Sequence, residues 1–280
     1  MGTRNGQAES ATVGTGPAGT ASAAGSSASS PVQPPSPAGA RVGPSAPARP
    51  LAGRTVVVSG TSSGIGLATA VALSEAGASV HGLSRRAAGG PFLTHRCDVN
   101  RYEEVAGAIE GIASGSGIDA VVVAAGTNIP DRYLDRLSVD GWHELVGTNL
   151  SGAFHVFHAA LTHLRRSRGI AVFISSVSAL WPDASGPAYQ ASKAGLIGLA
   201  RAAALEEHAN GVRVCSVLPG LVDTPLLDRR PVPPSSEQRA AALRPDDVAR
   251  VCAFLLSLPP HVYIPEMTVL PTELQALGKT

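Results

Sequence analysis

From Thr55 onward the chain alternates short β-branched runs with longer stretches whose apolar residues return every three or four positions. Thr55–Ser59 (TVVVS) carries three valines in a row, as a strand buried on both faces does. Ile65–Ala76 follows a helical pattern that Gly77 stops. Ser79–Leu83 and Phe92–Arg96 read as the next strands. Val99–Ala113 reads as a helix with Asn100 as its cap. Ala120–Ala124 is a fourth strand, and Val139–Arg166 is a long helical region. Ile170–Ser175 is a strand, Ala188–His208 a helix, Val212–Leu218 a strand, Pro245–Leu256 a helix and Met267–Leu270 the last strand.

Strands that are apolar on both faces belong in a parallel sheet covered by helices. The pattern predicts an α/β fold: a single Rossmann-type, doubly wound parallel sheet of about seven strands with helices on both faces. One domain over residues 51–280 accounts for it, with no internal repeat. Right-handed crossovers bring every loop that follows a strand to one sheet edge, where ligands bind at the switch in strand order.

Composition changes the picture before Leu51. Of residues 1–50, 39 are Ala, Gly, Ser, Pro or Thr, so this stretch has too little apolar surface to offset its ordering entropy. It reads as a disordered, flexible tail; its scarcity of acids also allows a targeting peptide, although no amphipathic period supports one. The chain's formal charge of +1 gives no electrostatic reason to expect a nucleic-acid partner. No apolar run is long enough to span a membrane, and the start lacks the apolar core of a secretory signal. Cys97, Cys215 and Cys252 are odd in number and far apart, which argues against disulfides and structural zinc. They read as small buried hydrophobes in a reducing, cytoplasmic setting. His81, His155, His158 and His163 show no metal-binding spacing, so no metal is expected.

The first strand runs into Gly60-Thr61-Ser62-Ser63-Gly64-Ile65-Gly66 and then a helix. Gly60 suits a tight turn, Gly64 a close approach to a pyrophosphate, and Gly66 close packing of helix on strand. The helix N-terminus offers free N–H groups to phosphate, and Ser62 and Ser63 add hydroxyls. At the end of the second strand, where NAD sites usually carry a carboxylate on the ribose, stand Ser84, Arg85 and Arg86. No carboxylate lies in His81–Pro91, and a guanidinium fork matches a 2′-phosphate. NADP(H) is therefore the expected cofactor and NAD(H) the alternative, with Arg85 favoured over Arg86 as the clamp.

Tyr189 and Lys193 are spaced i, i+4 on a predicted helix, and Ser176 ends a strand 13 residues earlier. Carbonyl reduction creates an alkoxide that needs a proton. A tyrosine can give it once a neighbouring ammonium lowers its pKa from roughly 10. A serine hydroxyl can hold the substrate oxygen within reach.

Over residues 51–280 the chain resembles the short-chain dehydrogenase/reductase family. The resemblance rests on Gly60-x-x-x-Gly64-x-Gly66, Asp98-Val99, Ala124-Ala125-Gly126, Asn149-x-x-Gly152, Ser176, Tyr189-x-x-x-Lys193 and Pro219-Gly220 with Thr224. It implies that Asp98 bonds the adenine amino group beside Val99, and that Gly126 lies near the cofactor ribose. Asn149 would hold a kink in the long helix and bind a water of a proton relay. Lys193 would also bind ribose hydroxyls. Pro219, Gly220 and Thr224 would place the carboxamide, with Ile65 and Val222 completing the cofactor set. The implied catalytic residues are Asn149, Ser176, Tyr189 and Lys193.

The family's Asn-Asn-Ala-Gly is here Val123-Ala124-Ala125-Gly126, which leaves in question what ties the neighbouring loops. Asn128, Trp181 and Leu226 are nominated for the substrate pocket, and Trp181 is equally a packing anchor. Arg132, Arg229 and Arg230 could receive a carboxylate, although solvated loop arginines are the default. The Pro-rich segment Asp223–Arg244 reads as a mobile flap over the substrate.

The expected function is an NADP(H)-dependent oxidoreductase interconverting a small-molecule carbonyl and a secondary alcohol. One alternative is an NAD(P)-dependent alcohol or 3-hydroxy acid dehydrogenase; another is a cofactor-binding sensor or scaffold without turnover. By resemblance, a homodimer or homotetramer pairs the two long helices.

Overall fold

The computed structural model describes residues 49–273 except Ala88. The low-complexity stretch thus lies outside the described residues, apart from Arg49 and Pro50. The strands are β1 (Thr55–Ser59), β2 (Ser79–Ser84), β3 (Leu93–Arg96), β4 (Ala120–Val123), β5 (Ile170–Ile174), β6 (Arg213–Pro219) and β7 (Glu266–Val269). They form one sheet in the order β3-β2-β1-β4-β5-β6-β7, and every pairing is parallel.

Alternation along the strands feeds two cores. Val57, Val121 and Phe173 pack on one face with Val105 and Ile109 of α2 (Tyr102–Ser116), and with Val156 and Leu164 of the later helix Gly152–Ser167. Val56, Val58 and Val172 pack on the other with Leu73 of α1 (Gly64–Glu75) and Leu255 of the late helix Pro245–Ser257. Each buried side chain of this size stabilises the fold by about 1.5–3 kcal/mol, so the central strands are fixed from both sides. No helix among the described residues is long and apolar enough to cross a membrane.

Two expectations are corrected. The second helix starts at Tyr102, with Arg101 rather than Asn100 at its cap position. Asn100 instead donates its side-chain amide to Thr148 Oγ1 at 3.2 Å, a tertiary contact that competes with capping. The long helical region divides into α3 (Val139–Val146), a π-helical turn (Gly147–Ser151) and α4 (Gly152–Ser167). The break holds Asn149, whose side chain bonds a neighbouring loop. Downstream lie α5 (Pro187–Glu207), the short α6 (Ser236–Ala240) and α7 (Pro245–Ser257). The segment Asp223–Arg244, read from the sequence as a flap, holds a 3₁₀ turn over Pro225–Arg229 as well as α6. Arg239 pins that segment through Asp223 at 2.8 Å and through Asp228.

Candidate active site

A cleft of about 340 Å³ opens over the carboxyl ends of the strands, at the switch between β1 and β4. Gly60 turns out of β1 with φ of 79°, and a Cβ there would lie 2.8 Å from the Ala125 backbone. A Cβ on Gly66 would collide with the Gly60 carbonyl, so only glycine lets α1 start this close to the strand. The α1 N-terminus has no side-chain cap and no acid in its first turn. Its free amides face the cleft with Ser62, Ser63, Gly64 and Ile65, a cradle that fits a pyrophosphate.

At the far end of the cleft stand Ser84, Arg85, Arg86, Asp98 and Val99. Neither arginine is in an ion pair among the described residues. Arg86, rather than the favoured Arg85, reaches the glycine loop, donating to Ser62 Oγ at 3.4 Å. Asp98 accepts from the Asn100 amide at 3.0 Å. Cys97 also lines the cleft, but burial pushes its thiol up to about 11, so it stays protonated and inert. Cys215 and Cys252 are buried likewise.

The loop after β4 is tied by a residue the sequence did not single out. Ser59 Oγ accepts from the Ala124 and Ala125 amides at 3.1 and 3.2 Å. It takes up the strand-tying work left open by the missing asparagines. The next residues are held by Asn149, which is fully buried. Its Oδ1 accepts from the Thr127 amide at 2.7 Å, and its Nδ2 donates to Thr127 O and Ser192 Oγ, each at 3.1 Å. Both amide hydrogens are thereby used, so the Asn149 side chain orients the loop and has no hydrogen left for a relay water. A Cβ on Gly126 would sit 3.4 Å from Asn149 Oδ1 and 3.5 Å from Lys193 Nζ, ordinary contact distances, so the loop runs directly beside both side chains.

Tyr189 and Lys193 lie one turn apart on α5, whose start is set by Gly186 and Pro187. Ser175 Oγ donates to Lys193 O at 2.9 Å and fastens that turn to the end of β5. Lys193 is 5% exposed, and its Nζ donates to Ile174 O at 2.8 Å. Burial holds its ammonium down to about 8. Burial pushes the Tyr189 phenol above its ordinary value; the Ser176 hydroxyl opposes that rise, Asp183 adds to it, and Arg230 and Arg132 oppose it. The acidification expected from Lys193 is therefore not what dominates here. The ammonium points to a backbone carbonyl, 5.8 Å from the centre of the tyrosine ring.

A second cavity, of about 540 Å³, adjoins the first. Ile65, Ser175, Tyr189, Thr224 and Leu226 line both. Ser176, Asn128, Pro219, Gly220 and Val222 line the second. Ser176 donates to Ser178 Oγ at 3.1 Å, and Ser178 in turn donates to Asp183 at 2.5 Å. This hydroxyl–carboxylate chain was missed, because no spacing distinguishes its members from ordinary loop residues. Trp181 lines neither cavity. Arg132 departs from the solvated default: it is 2% exposed and lines the second cavity.

A sequence model of the short chain dehydrogenase family matches residues 54–232. The chain is 35% identical to L-fucose dehydrogenase of Oryctolagus cuniculus over 209 residues, covering 71% of this chain and 70% of that protein. It is 35% identical to cis-4-hydroxycyclohexanecarboxylate dehydrogenase of Sinomonas cyclohexanicum over 225 residues, covering 74% and 90%. Among solved structures, it superposes on an alcohol dehydrogenase from Thermococcus sibiricus complexed with 5-hydroxy-NADP. That match has a TM-score of 0.70 and 27% identity, over 78% of this chain and 97% of that one.

Proposed function

The chain belongs to the short-chain dehydrogenase family, an oxidoreductase acting on CH–OH donors, and from that premise we propose that it interconverts a small-molecule carbonyl and a secondary alcohol with NADP(H). The observation that carries this reading is the meeting of the two cavities at Tyr189, with Ser176 on one side and Lys193 on the other. The first cavity takes the dinucleotide: the α1 amides and the serines of the glycine loop hold the pyrophosphate, and Asp98 and Val99 the adenine side. Arg86 and Arg85 meet the 2′-phosphate, a preference supported by the absence of an ion pair to either among the described residues and by the lack of an acid in His81–Pro91. When bound, the nicotinamide supplies or accepts the hydride.

The protein's own part is the proton. Ser176 holds the substrate oxygen within reach of the Tyr189 hydroxyl, which gives up its proton in reduction and takes one in oxidation. Lys193 faces the first cavity, where its ammonium binds the ribose, while Ser176, Arg230 and Arg132 pull the Tyr189 phenol back toward ionisation. Asn149 positions the loop over that lysine. Thr224 walls the junction, and Pro219, Gly220 and Val222 the second cavity rather than the first.

The test is a titration of the purified protein with NADPH and NADH by tryptophan fluorescence, followed by a carbonyl panel with Tyr189→Phe beside the wild type. NADPH binds at least ~10-fold more tightly, and Arg86→Ala with Arg85→Ala removes the difference. Tyr189→Phe keeps nucleotide affinity and loses about 10²–10⁴-fold in turnover, the range of general acid–base catalysis. Full turnover in that variant overturns the mechanism, and equal affinity for the two nucleotides overturns the choice of NADP(H).

A further inference from the structure

The second cavity is apolar over most of its wall: Leu221, Leu226, Leu227, Val232, Pro233 and Leu270 line it. Against that wall stand two guanidinium groups, Arg132 and Arg230. Charges in an apolar cavity are costly unless something neutralises them. Neither arginine is in an ion pair among the described residues.

Arg132 is the more telling of the two. Of the five N–H groups of an arginine, two are in use here: Nε donates to Ile129 O at 2.9 Å and Nη2 to Arg229 O at 2.7 Å. The other three make no hydrogen bond among the described residues. The Arg132 backbone is seated against Gly186, where a Cβ would collide with the Arg132 carbonyl. An arginine needed only to brace the 3₁₀ turn would not have to line the cavity. Burial, and after it the charge of Arg230, lower the Arg132 pKa, while Tyr133, Tyr189 and Asp183 oppose that fall.

One carboxylate does share the cavity. Asp183 is already engaged, accepting from Ser178 Oγ at 2.5 Å and from the Ser185 amide at 2.9 Å. The third nearby arginine, Arg229, is turned away to Thr127 Oγ1 at 2.9 Å. The wall thus keeps a net positive end. That end lies close enough to Tyr189 for both guanidiniums to act on its phenol.

We infer that the substrate is an oxo or hydroxy carboxylic acid with an aliphatic or alicyclic body, its carboxylate held by Arg132 and Arg230 while its carbonyl or hydroxyl carbon sits at Tyr189. This rests on the oxidoreductase reading of the site. An arginine fork takes a carboxylate by two parallel charge-assisted hydrogen bonds. A volume of about 540 Å³ leaves room for a body of several carbons beside it. In the oxidative direction the hydroxyl proton goes to Tyr189 and the hydride to the oxidised nicotinamide; the carboxylate is unchanged and serves as the handle.

The experiment compares 4-oxocyclohexanecarboxylate and 4-oxopentanoate with their methyl esters, by turnover with NADPH and by calorimetric binding to the protein saturated with NADP⁺. Proteins are the wild type, Arg230→Gln and Arg132→Lys. The acids are expected to exceed their esters by ~10-fold or more in kcat/KM, chiefly through KM, and to bind where the esters do not. Arg230→Gln erases that preference, bringing acid and ester to the same kcat/KM whatever happens to ester turnover itself; Arg132→Lys, which keeps a charge, weakens the preference in part. Equal treatment of acid and ester, or a preference that survives Arg230→Gln, overturns the inference. If no carbonyl is reduced at all, the oxidoreductase reading fails by itself. Calorimetry then still decides the carboxylate site: acid binding that Arg230→Gln abolishes sustains it, and its absence overturns it.

Discussion

The buried ammonium of Lys193 is held at a cost. It is 5% exposed, with one backbone carbonyl for a partner, and burial alone brings it from 10.5 to about 8. Below pH 8 the lysine is charged in both folded and unfolded chains, and the folded state bears the full desolvation penalty. Between about 8 and 10.5 the folded lysine is neutral while the unfolded one still holds its proton. Stability from this residue therefore rises with pH through that window. At about 1.4 kcal/mol per pH unit the rise over the whole window amounts to about 3.5 kcal/mol at most. Lys193→Met has nothing to titrate there. Urea unfolding of both proteins at pH 7 and pH 10 should show the difference, wild type minus variant, growing in the wild type's favour. A difference that stays flat would mean that the ammonium is solvated. The same variant loses turnover, because a site that needs a charge in a dry place sacrifices stability for it.

At the scale of elements, the junction of β1 and β4 carries the clearest consequence. Ser59 Oγ is the common acceptor for two successive amides, Ala124 and Ala125, beside the first cavity. Ser59→Ala leaves both amides without that partner and should destabilise the protein by about 1–3 kcal/mol. The loosened loop should also weaken NADPH binding several-fold. A denaturant midpoint and a nucleotide titration check the two effects; an unchanged midpoint would show that backbone pairing alone holds the loop. The elements themselves were legible, because three valines in a row or a tyrosine one turn from a lysine follow local periods. The π turn at Asn149 was legible only as a kink implied by resemblance. The Ser59 tie, the Asp183 chain and the burial of Arg132 were not legible at all. Each joins residues that are distant in sequence or that lie in loops, where a hydroxyl or an arginine is as common in solvent as in a network. Thr224, expected at the carboxamide, and Leu226, expected in the substrate pocket, line both cavities together with Tyr189. Trp181, chosen by position between Ser176 and Tyr189, lines neither cavity.

For the whole molecule, the outer faces of α4 and α5 raise the matter of assembly. Phe154 on α4 is 43% exposed and Leu205 on α5 is 73% exposed. Phe154 also gathers polar aromatics about itself, His158 at 5.2 Å and His155 at 6.2 Å between ring centres, with Tyr102 bonded to His158 at 3.0 Å. An exposed aromatic ringed by groups that can form hydrogen bonds has the anatomy of an interface centre and its rim. It lies on the helices that the family resemblance implies for pairing. The active-site turn with Tyr189 and Lys193 belongs to α5, so pairing there would steady the helix that carries the chemistry. Light scattering on the purified protein should therefore give the mass of a dimer or tetramer. Phe154→Glu, which puts a charge at the centre of the patch, should reduce that mass with the circular dichroism spectrum unchanged. Turnover should fall with dilution in the variant sooner than in the wild type. A wild-type monomer at micromolar concentration would remove the patch from consideration as a pairing surface and leave Phe154 as an isolated exposed side chain, of the kind any protein surface tolerates.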